Sequence, residues 1–253
     1  LIRVNPFKLL MWTFRRSPAD VIDLYNTLSP VMQLATGGSM LNFGFWEGIS
    51  DGPLAAQRRL CDLAGELAEL DSGTRLIDVG SGLGAPASHW ISSHGNLEAV
   101  ACLNLNRKQL RDAVVLSQDA SRRGGHLRVN ATSVMLPVPA NSYDRIIALE
   151  SAQHFRPLAD FASECRRALV PGGIMVLAVP VTDRPLRGLD KLLRLGILSL
   201  TWSSEHYSAE HVISVLEKSG FKILETRRIG RHVYEPLSSY YLRNRESIRQ
   251  KIV

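Results

Sequence analysis

No apolar run in the 253-residue chain approaches the length that crosses a bilayer, so the sequence offers no candidate membrane-spanning helix. Cysteine is scarce as well. Cys61, Cys102 and Cys165 are odd in number, far apart and set among apolar neighbours, which reads as reduced core thiols and gives neither a disulfide framework nor a metal site. Charge of one sign is not in large excess either: 30 basic against 24 acidic residues give +6, too little and too scattered to argue for nucleic acid as a partner. Internal repeats and low-complexity tracts are missing, and no secretory signal is visible. Residue 1 is Leu and not Met, which leaves open whether an upstream piece is missing. These absences leave one soluble α/β domain in the cytoplasm with an added cap or lid as the expected architecture.

What the chain does contain is organised around Arg75-Leu76-Ile77-Asp78-Val79-Gly80-Ser81-Gly82-Leu83-Gly84. Apolar residues suited to a buried strand surround an Asp, and glycines follow at every second position. A strand that turns tightly into a helix needs glycine where the backbone bends or where a ligand approaches it closely. The helix that opens at Ala85 then points unpaired N–H groups at the ligand. The loop therefore reads as a nucleotide-like site. Against the dinucleotide fingerprint its third glycine comes one residue early, which argues against a nicotinamide dehydrogenase.

Around this loop, helices and strands alternate. Strands are expected over Arg75–Val79, Leu97–Leu103, His126–Val129, Tyr143–Leu149, Ile174–Val179 and Phe221–Ile229. Helices are expected from Ser17-Pro18, over Leu60 to Leu70, and over Ala85–Ser93, Arg107–Arg123 and Leu158–Leu169, with a turn at Pro171-Gly172-Gly173. Such βα units predict a doubly wound, mostly parallel sheet with helices on both faces. Residues 1–52 are expected to form an N-terminal helical cap, and 53–253 the main domain with a lid insert at about 182–208. Within that lid, Leu186, Leu189, Leu193, Ile197 and Leu200 form an apolar stripe opposite Arg184, Arg187, Lys191 and Arg194. The first 16 residues are basic and amphipathic; peripheral contact with a membrane and packing on the domain itself are both open readings.

In a doubly wound sheet the ligand lies beyond the carboxyl ends of the strands, near the point where the strand order reverses. Polar residues cluster at those ends. Asn104 ends the second strand about 20 residues after Gly84, where nucleotide folds hold the ribose. Asn130-Ala131 end the third, and Glu150-Ser151 end the fourth, with Gln153, His154 and Phe155 close behind.

In this order and spacing, the blocks resemble class I S-adenosylmethionine-dependent methyltransferases over roughly Asn42 to Ile229. Ile77–Gly84 is similar to that family's first motif. Cys102-Leu103-Asn104-Leu105-Asn106-Arg107-Lys108-Gln109-Leu110 resembles the second, in the form seen in sterol C-methyltransferases and related small-molecule enzymes. Asn130-Ala131 with Leu136-Pro137 and Asn141–Arg145 match a third block, and Arg166–Gly173 match the turn into strand five.

The resemblance implies S-adenosyl-L-methionine as cofactor. Gly80, Ser81, Gly82 and Gly84 would pass close to its methionine part. Asn104, with Leu105 and Gln109, would face the ribose, and Asn130 and Ala131 the adenine. Phe45, in the aromatic segment Phe43–Trp46, would close over it. Two departures stand out, because the family usually carries acids where this chain has Asn104 and Asn130. An amide can accept one hydrogen bond and donate another, but it gives up attraction for a cationic cofactor.

Two residues are candidates for catalysis. His154 would be the general base towards a hydroxyl acceptor; a histidine that only bonds a backbone carbonyl is the alternative. Glu150 would bind the cofactor or, in C-methylation, steady a carbocation. His206 and Tyr207, in the lid, are weaker candidates, and with Trp202 they would close the site. The amphipathic lid and N-terminus point to a hydrophobic acceptor, of isoprenoid, sterol-like, lipid or polyketide type, methylated at O or C. Two rival functions stay open. One is a nucleic-acid methyltransferase, although Leu149-Glu150-Ser151-Ala152 lacks the Asn/Asp-Pro-Pro-aromatic signature. The other is a non-catalytic, methyltransferase-like interaction subunit. Relatives usually add a seventh strand, which is not found here, and a missing C-terminal tail is expected.

Overall fold

The computed structural model describes residues 17–48, 52–73, 75–113, 125–182 and 207–250. The basic segment 1–16, the second half of the helix expected over Arg107–Arg123, and the amphipathic lid with Trp202 and His206 lie outside the described residues.

Five strands, β1 (Arg75–Val79), β2 (Ala99–Asn104), β3 (Gly125–Asn130), β4 (Tyr143–Leu149) and β5 (Leu169–Ala178), form one parallel sheet in the order β3-β2-β1-β4-β5. β1 is central, and the chain goes to one side of it for β2 and β3 and to the other for β4 and β5. The reversal point therefore lies between β1 and β4, where Leu76, Ile77 and Asp78 pair with Arg145, Ile146 and Ile147.

Side chains alternate across this sheet as the pleat requires. Leu76, Val100, Ile147 and Leu149 face a core built with Leu60, Cys61 and Ala64 of α2 (Gly52–Leu67) and Trp90 of α3 (Ala85–Ser93). Ile77, Val79, Ile146 and Ala148 face the other core, with Phe161 and Cys165 of α5 (Leu158–Ala168) and Val212 and Leu216 of α6 (Ala209–Lys218). Both faces of β1 are thus covered, as befits the central strand of a parallel sheet. Removing a side chain such as Ile77, which has no exposure, would cost about 2–5 kcal/mol. The cysteines are free thiols, Cys61 and Cys165 fully buried in opposite cores.

Helix α1 (Pro18–Thr36) begins where the sequence places it. Ser17 is its N-cap and forms a capping box with Asp20, Pro18 opens the first turn, and Gly37 ends the helix at φ 75°. Asn106 caps α4 (Arg107–Asp112), its Oδ1 accepting from the N–H groups of Lys108 and Gln109. Among the described residues no helix is long and apolar enough to cross a membrane.

Two expectations need correction. Pro171-Gly172-Gly173 does not precede the fifth strand but lies inside β5. Leu169 pairs with Tyr143 and Ile174 with Arg145, so four residues bulge opposite Asp144. The strand expected over Phe221–Ile229 is not formed. The sheet order ends at β5, and residues 221–229 run past it without joining. Phe221 and Ile223 pack on the core, while the residues from Leu224 to Arg228 are exposed. The segment is drawn instead towards the loop after α1. Trp46 N–H donates to His232 O at 2.8 Å, and Phe45 stacks on the His232 ring at 4.9 Å. A short turn, Gly230–His232, then leads into α7 (Tyr234–Arg243) and α8 (Arg245–Arg249).

Candidate active site

The carboxyl ends of β1, β2 and β4, with the loop after β3, open into one cleft, and α1 lies across it. Gly80, Ser81 and Gly82 line it from β1, Asn104 to Asn106 and Gln109 from β2 and α4, and Ala131 to Ser133 from the loop after β3. Glu150, Ser151 and His154 come from the end of β4, and Val21, Ile22 and Tyr25 from α1.

The glycine loop is shaped by backbone geometry. Gly80 sits at φ +79°, and a Cβ there would lie 2.4 Å from the Cβ of Ser151. Ser151 is itself held, its hydroxyl donating to Val79 O at 2.7 Å. Gly80 therefore lets β1 and β4 converge beneath the cleft. Gly82, at φ +54°, would turn a Cβ towards Leu41, 3.2 Å away and itself part of the cleft wall. Gly84 caps α3.

Asn104 is buried, with both amide hydrogens bonded within the protein. Its Nδ2 donates to Gly82 O at 3.1 Å and to Gln109 Oε1 at 2.8 Å, and its Oδ1 accepts from Asn106 N–H. Gln109 in turn donates from Nε2 to Ser29 Oγ on α1 at 2.9 Å. Asn130 does not line the cleft; its amide donates to the carbonyls of Asn104 and Leu105, tying β3 to the turn after β2. Phe45 and Gly84 also lie outside the lining residues, Phe45 being stacked on His232.

At the β4 end, Glu150 adopts φ +50°, unusual for a side-chain-bearing residue and frequent at functional sites. Its Oε2 accepts from Phe43 N–H at 2.6 Å, and burial pushes its carboxyl up to about 7, against the single lowering effect of that bond. Below the glycine loop, Asp78 is likewise pushed up to about 7 by burial, with Oδ2 lacking any partner among the described residues. His154 closes the short turn Ala152–His154, and its Nε2 lies 3.0 Å from the hydroxyl of Tyr25. Burial, with the Glu150 charge second, raises the Tyr25 phenol well above its ordinary value, so the phenol stays protonated. Tyr207 donates to Phe155 O at 3.0 Å, tightening the turn behind His154.

The sequence gives no hint of Tyr25, Asn42 or Ser29 as site residues. Tyr25 and Ser29 share one face of α1, but only the fold shows that Tyr25 lines the cleft and that Ser29 meets Gln109. Asn42 reads as part of an aromatic loop, yet the residue borders the cleft, and its buried Oδ1 has no hydrogen-bond partner among the described residues.

These features fit S-adenosylmethionine. The orphan carbonyl oxygen of Asn42 can accept from an ammonium, and the glycine loop leaves room for close approach. Among the described lining residues, Glu150 is the one carboxyl side chain and Arg156 the one guanidinium. No group of three or more metal-ligating side chains occurs among the described residues.

Residues 77–177 match the family model described as a methyltransferase domain. Erythromycin 3''-O-methyltransferase from Saccharopolyspora erythraea is 27% identical over 243 residues, covering 92% of this chain and 78% of that protein. A sterol 24-C-methyltransferase from Gibberella zeae is 30% identical over 157 residues, 60% of this chain and 40% of that protein. Among solved structures, the [4+2]-cyclase SpnF superposes with a TM-score of 0.75 at 23% identity, covering 92% of this chain and 85% of its own. That last likeness is one of fold alone, and fold alone does not prescribe a reaction.

Proposed function

We propose, from the premise that this chain is a class I S-adenosylmethionine-dependent methyltransferase acting on a small molecule, that it methylates a hydroxyl oxygen of an apolar acceptor with His154 as general base. The observation that carries this reading is the Tyr25–His154 pair, which sets an imidazole nitrogen in the same cleft as the glycine loop. The erythromycin O-methyltransferase likeness, along nearly the whole chain, supports oxygen as the target. The apolar walls, Val21, Ile22 and Phe155, support a hydrophobic acceptor of polyketide, isoprenoid or sterol-like type.

When bound, S-adenosylmethionine supplies an electrophilic methyl on a sulfonium, so the protein's part is alignment, water exclusion and removal of one proton. Gly80, Ser81, Gly82 and Asn42 bind the methionine part. Asn104, Leu105 and Gln109 face the ribose, and Ala131 faces the adenine. Asn130 and Gly84 support these residues from behind. In the tautomer that leaves Nε2 a lone pair, the Tyr25 phenol donates its hydrogen to His154 and orients the ring. An acceptor hydroxyl that takes the phenol's place at Nε2 gives up its proton there as the oxygen attacks. α1, within the 1–52 cap, covers the acceptor over the 53–253 domain.

A second reading, carbon methylation, is favoured by Glu150, a buried carboxylate near Tyr25 that could steady a carbocation. The sterol C-methyltransferase likeness supports it over part of the chain. The two separate experimentally. Methyl-labelled cofactor is incubated with hydroxylated polyketide, isoprenoid and sterol acceptors, and the product is read by NMR. An O-methyl ether, lost in His154→Ala while S-adenosylhomocysteine still binds, supports the first reading. A C-methyl product that persists in His154→Ala and vanishes in Glu150→Gln overturns it.

A further inference from the structure

Asn104 stands where an acid is expected, and the hydrogen bonds around it explain the exchange. Gly82 O can only accept, so the Asn104 side chain must turn its Nδ2 towards it and its Oδ1 towards Asn106 N–H. The same Nδ2 reaches Gln109, which must then present Oε1. That leaves the Gln109 Nε2 facing Ser29, whose hydroxyl accepts. The orientation of two buried amides is thus set in one direction, from a backbone carbonyl of the glycine loop to a hydroxyl on α1. Alongside it, Asn106 Nδ2 donates to Asn26 Oδ1 at 3.0 Å, a second tie between α1 and the end of β2. A carboxylate at position 104 would face Gly82 O with no hydrogen to give.

We propose that Ser29 is a positioning residue of the cofactor site: acting through Gln109 it holds Asn104 in its working orientation, so that closure of α1 and cofactor binding are one coupled event. The relay spans three elements that are distant in the chain and line one cleft. Removing the Ser29 hydroxyl leaves a buried amide hydrogen unpaired and frees Gln109 to turn, which loosens Asn104 in turn. The identity of position 104 is then set by α1, because the amide suits a cleft that is covered by a hydroxyl-bearing helix.

The inference rests on the cofactor reading of the cleft. The test is calorimetric titration of the full chain with S-adenosylhomocysteine, comparing the wild type with Ser29→Ala, Ser29→Thr, Asn104→Asp and the Ser29→Ala/Asn104→Asp double variant. Ser29→Ala is expected to weaken binding roughly fivefold to tenfold, the scale of one buried hydrogen bond. Ser29→Thr, which keeps the hydroxyl, is expected to stay within about twofold of wild type. Asn104→Asp is expected to weaken binding although it restores the acid. The double variant should lose clearly less or more than the product of the two single effects, because the sites are coupled. A purely structural role for Ser29 would lower the melting temperature and leave the affinity of the folded protein and the coupling unchanged. Ser29→Ala binding like wild type, tighter binding by Asn104→Asp, or strictly multiplicative effects would each overturn the relay. Failure of the wild type to bind S-adenosylhomocysteine would overturn the cofactor reading itself, and the relay with it.

Discussion

Glu150→Gln should make the ligand-free protein more stable at alkaline pH, even though it alters a residue in the heart of the cleft. Burial raises the Glu150 carboxyl from 4.5 to about 7, so the folded state holds its proton more tightly than the unfolded chain. The sign follows from linkage. Below the unfolded value the carboxyl is protonated in both states and costs nothing. Between that value and about 7, the folded state binds more protons, so stability falls as pH rises. Above about 7 the charged carboxylate is buried, and the full cost is present. A shift of this size corresponds to roughly 3 kcal/mol, an order-of-magnitude figure. Glutamine keeps an oxygen to accept from Phe43 N–H, so the mutation removes the charge without breaking the loop contact. Urea denaturation of wild type and variant at about pH 5 and about pH 8 reads this directly. The wild type should lose stability between the two. The variant should lose less, and should be the more stable protein at the higher pH. Asp78, raised to about 7 by the same cause, leaves a residual slope in both proteins. Equal slopes in the two proteins, or a variant less stable than wild type at the higher pH, would refute the claim that Glu150 is a desolvated, strained acid.

Three further outcomes can be checked. Gly80→Ala places a Cβ against Ser151 at a positive φ and should destabilise the fold by about 2 kcal/mol or more, whereas Gly82→Ala, facing the cleft beside Leu41, should cost less in denaturant melts yet weaken S-adenosylhomocysteine binding in calorimetry. Tyr25→Phe removes the hydrogen bond that an acceptor hydroxyl must displace at His154 Nε2, and should shift the pH–rate profile while binding of S-adenosylhomocysteine stays within about twofold. The Glu164 carboxyl, held below its usual range by the Arg167 guanidinium and bonded to Leu136 N–H, stabilises the loop after β3 at neutral pH; that contribution, about 1 kcal/mol or less after solvent screening, should fade as pH falls through its depressed value, and Glu164→Gln should abolish this acid dependence in thermal melts.

Several elements were legible because their causes are local. β1 over Arg75–Val79, α3 over Ala85–Ser93 and β4 over Tyr143–Leu149 occur at the expected residues, since buried parallel strands are apolar runs and the glycines and Ser17-Pro18 punctuate the chain without help from elsewhere. Where the cleft would open also followed, because strand order and chain direction place it at the carboxyl ends. The sequence thus determined the five parallel strands, the edge where the cleft opens and the candidates Glu150 and His154. It could not say what those residues touch. Tyr25 meets His154 across 129 positions, and Ser29 meets Gln109 across 80, pairings that no periodicity encodes. Phe45 carries the composition of a ligand cover, but the path of the chain after Ile229 brings His232 onto its ring. Phe221–Ile229 has a strand's pattern, yet joining the sheet depends on which neighbour claims its hydrogen bonds. The tertiary structure decided these points because hydrogen bonding and ring packing are satisfied by the nearest partner in space, and only folding brings distant residues near.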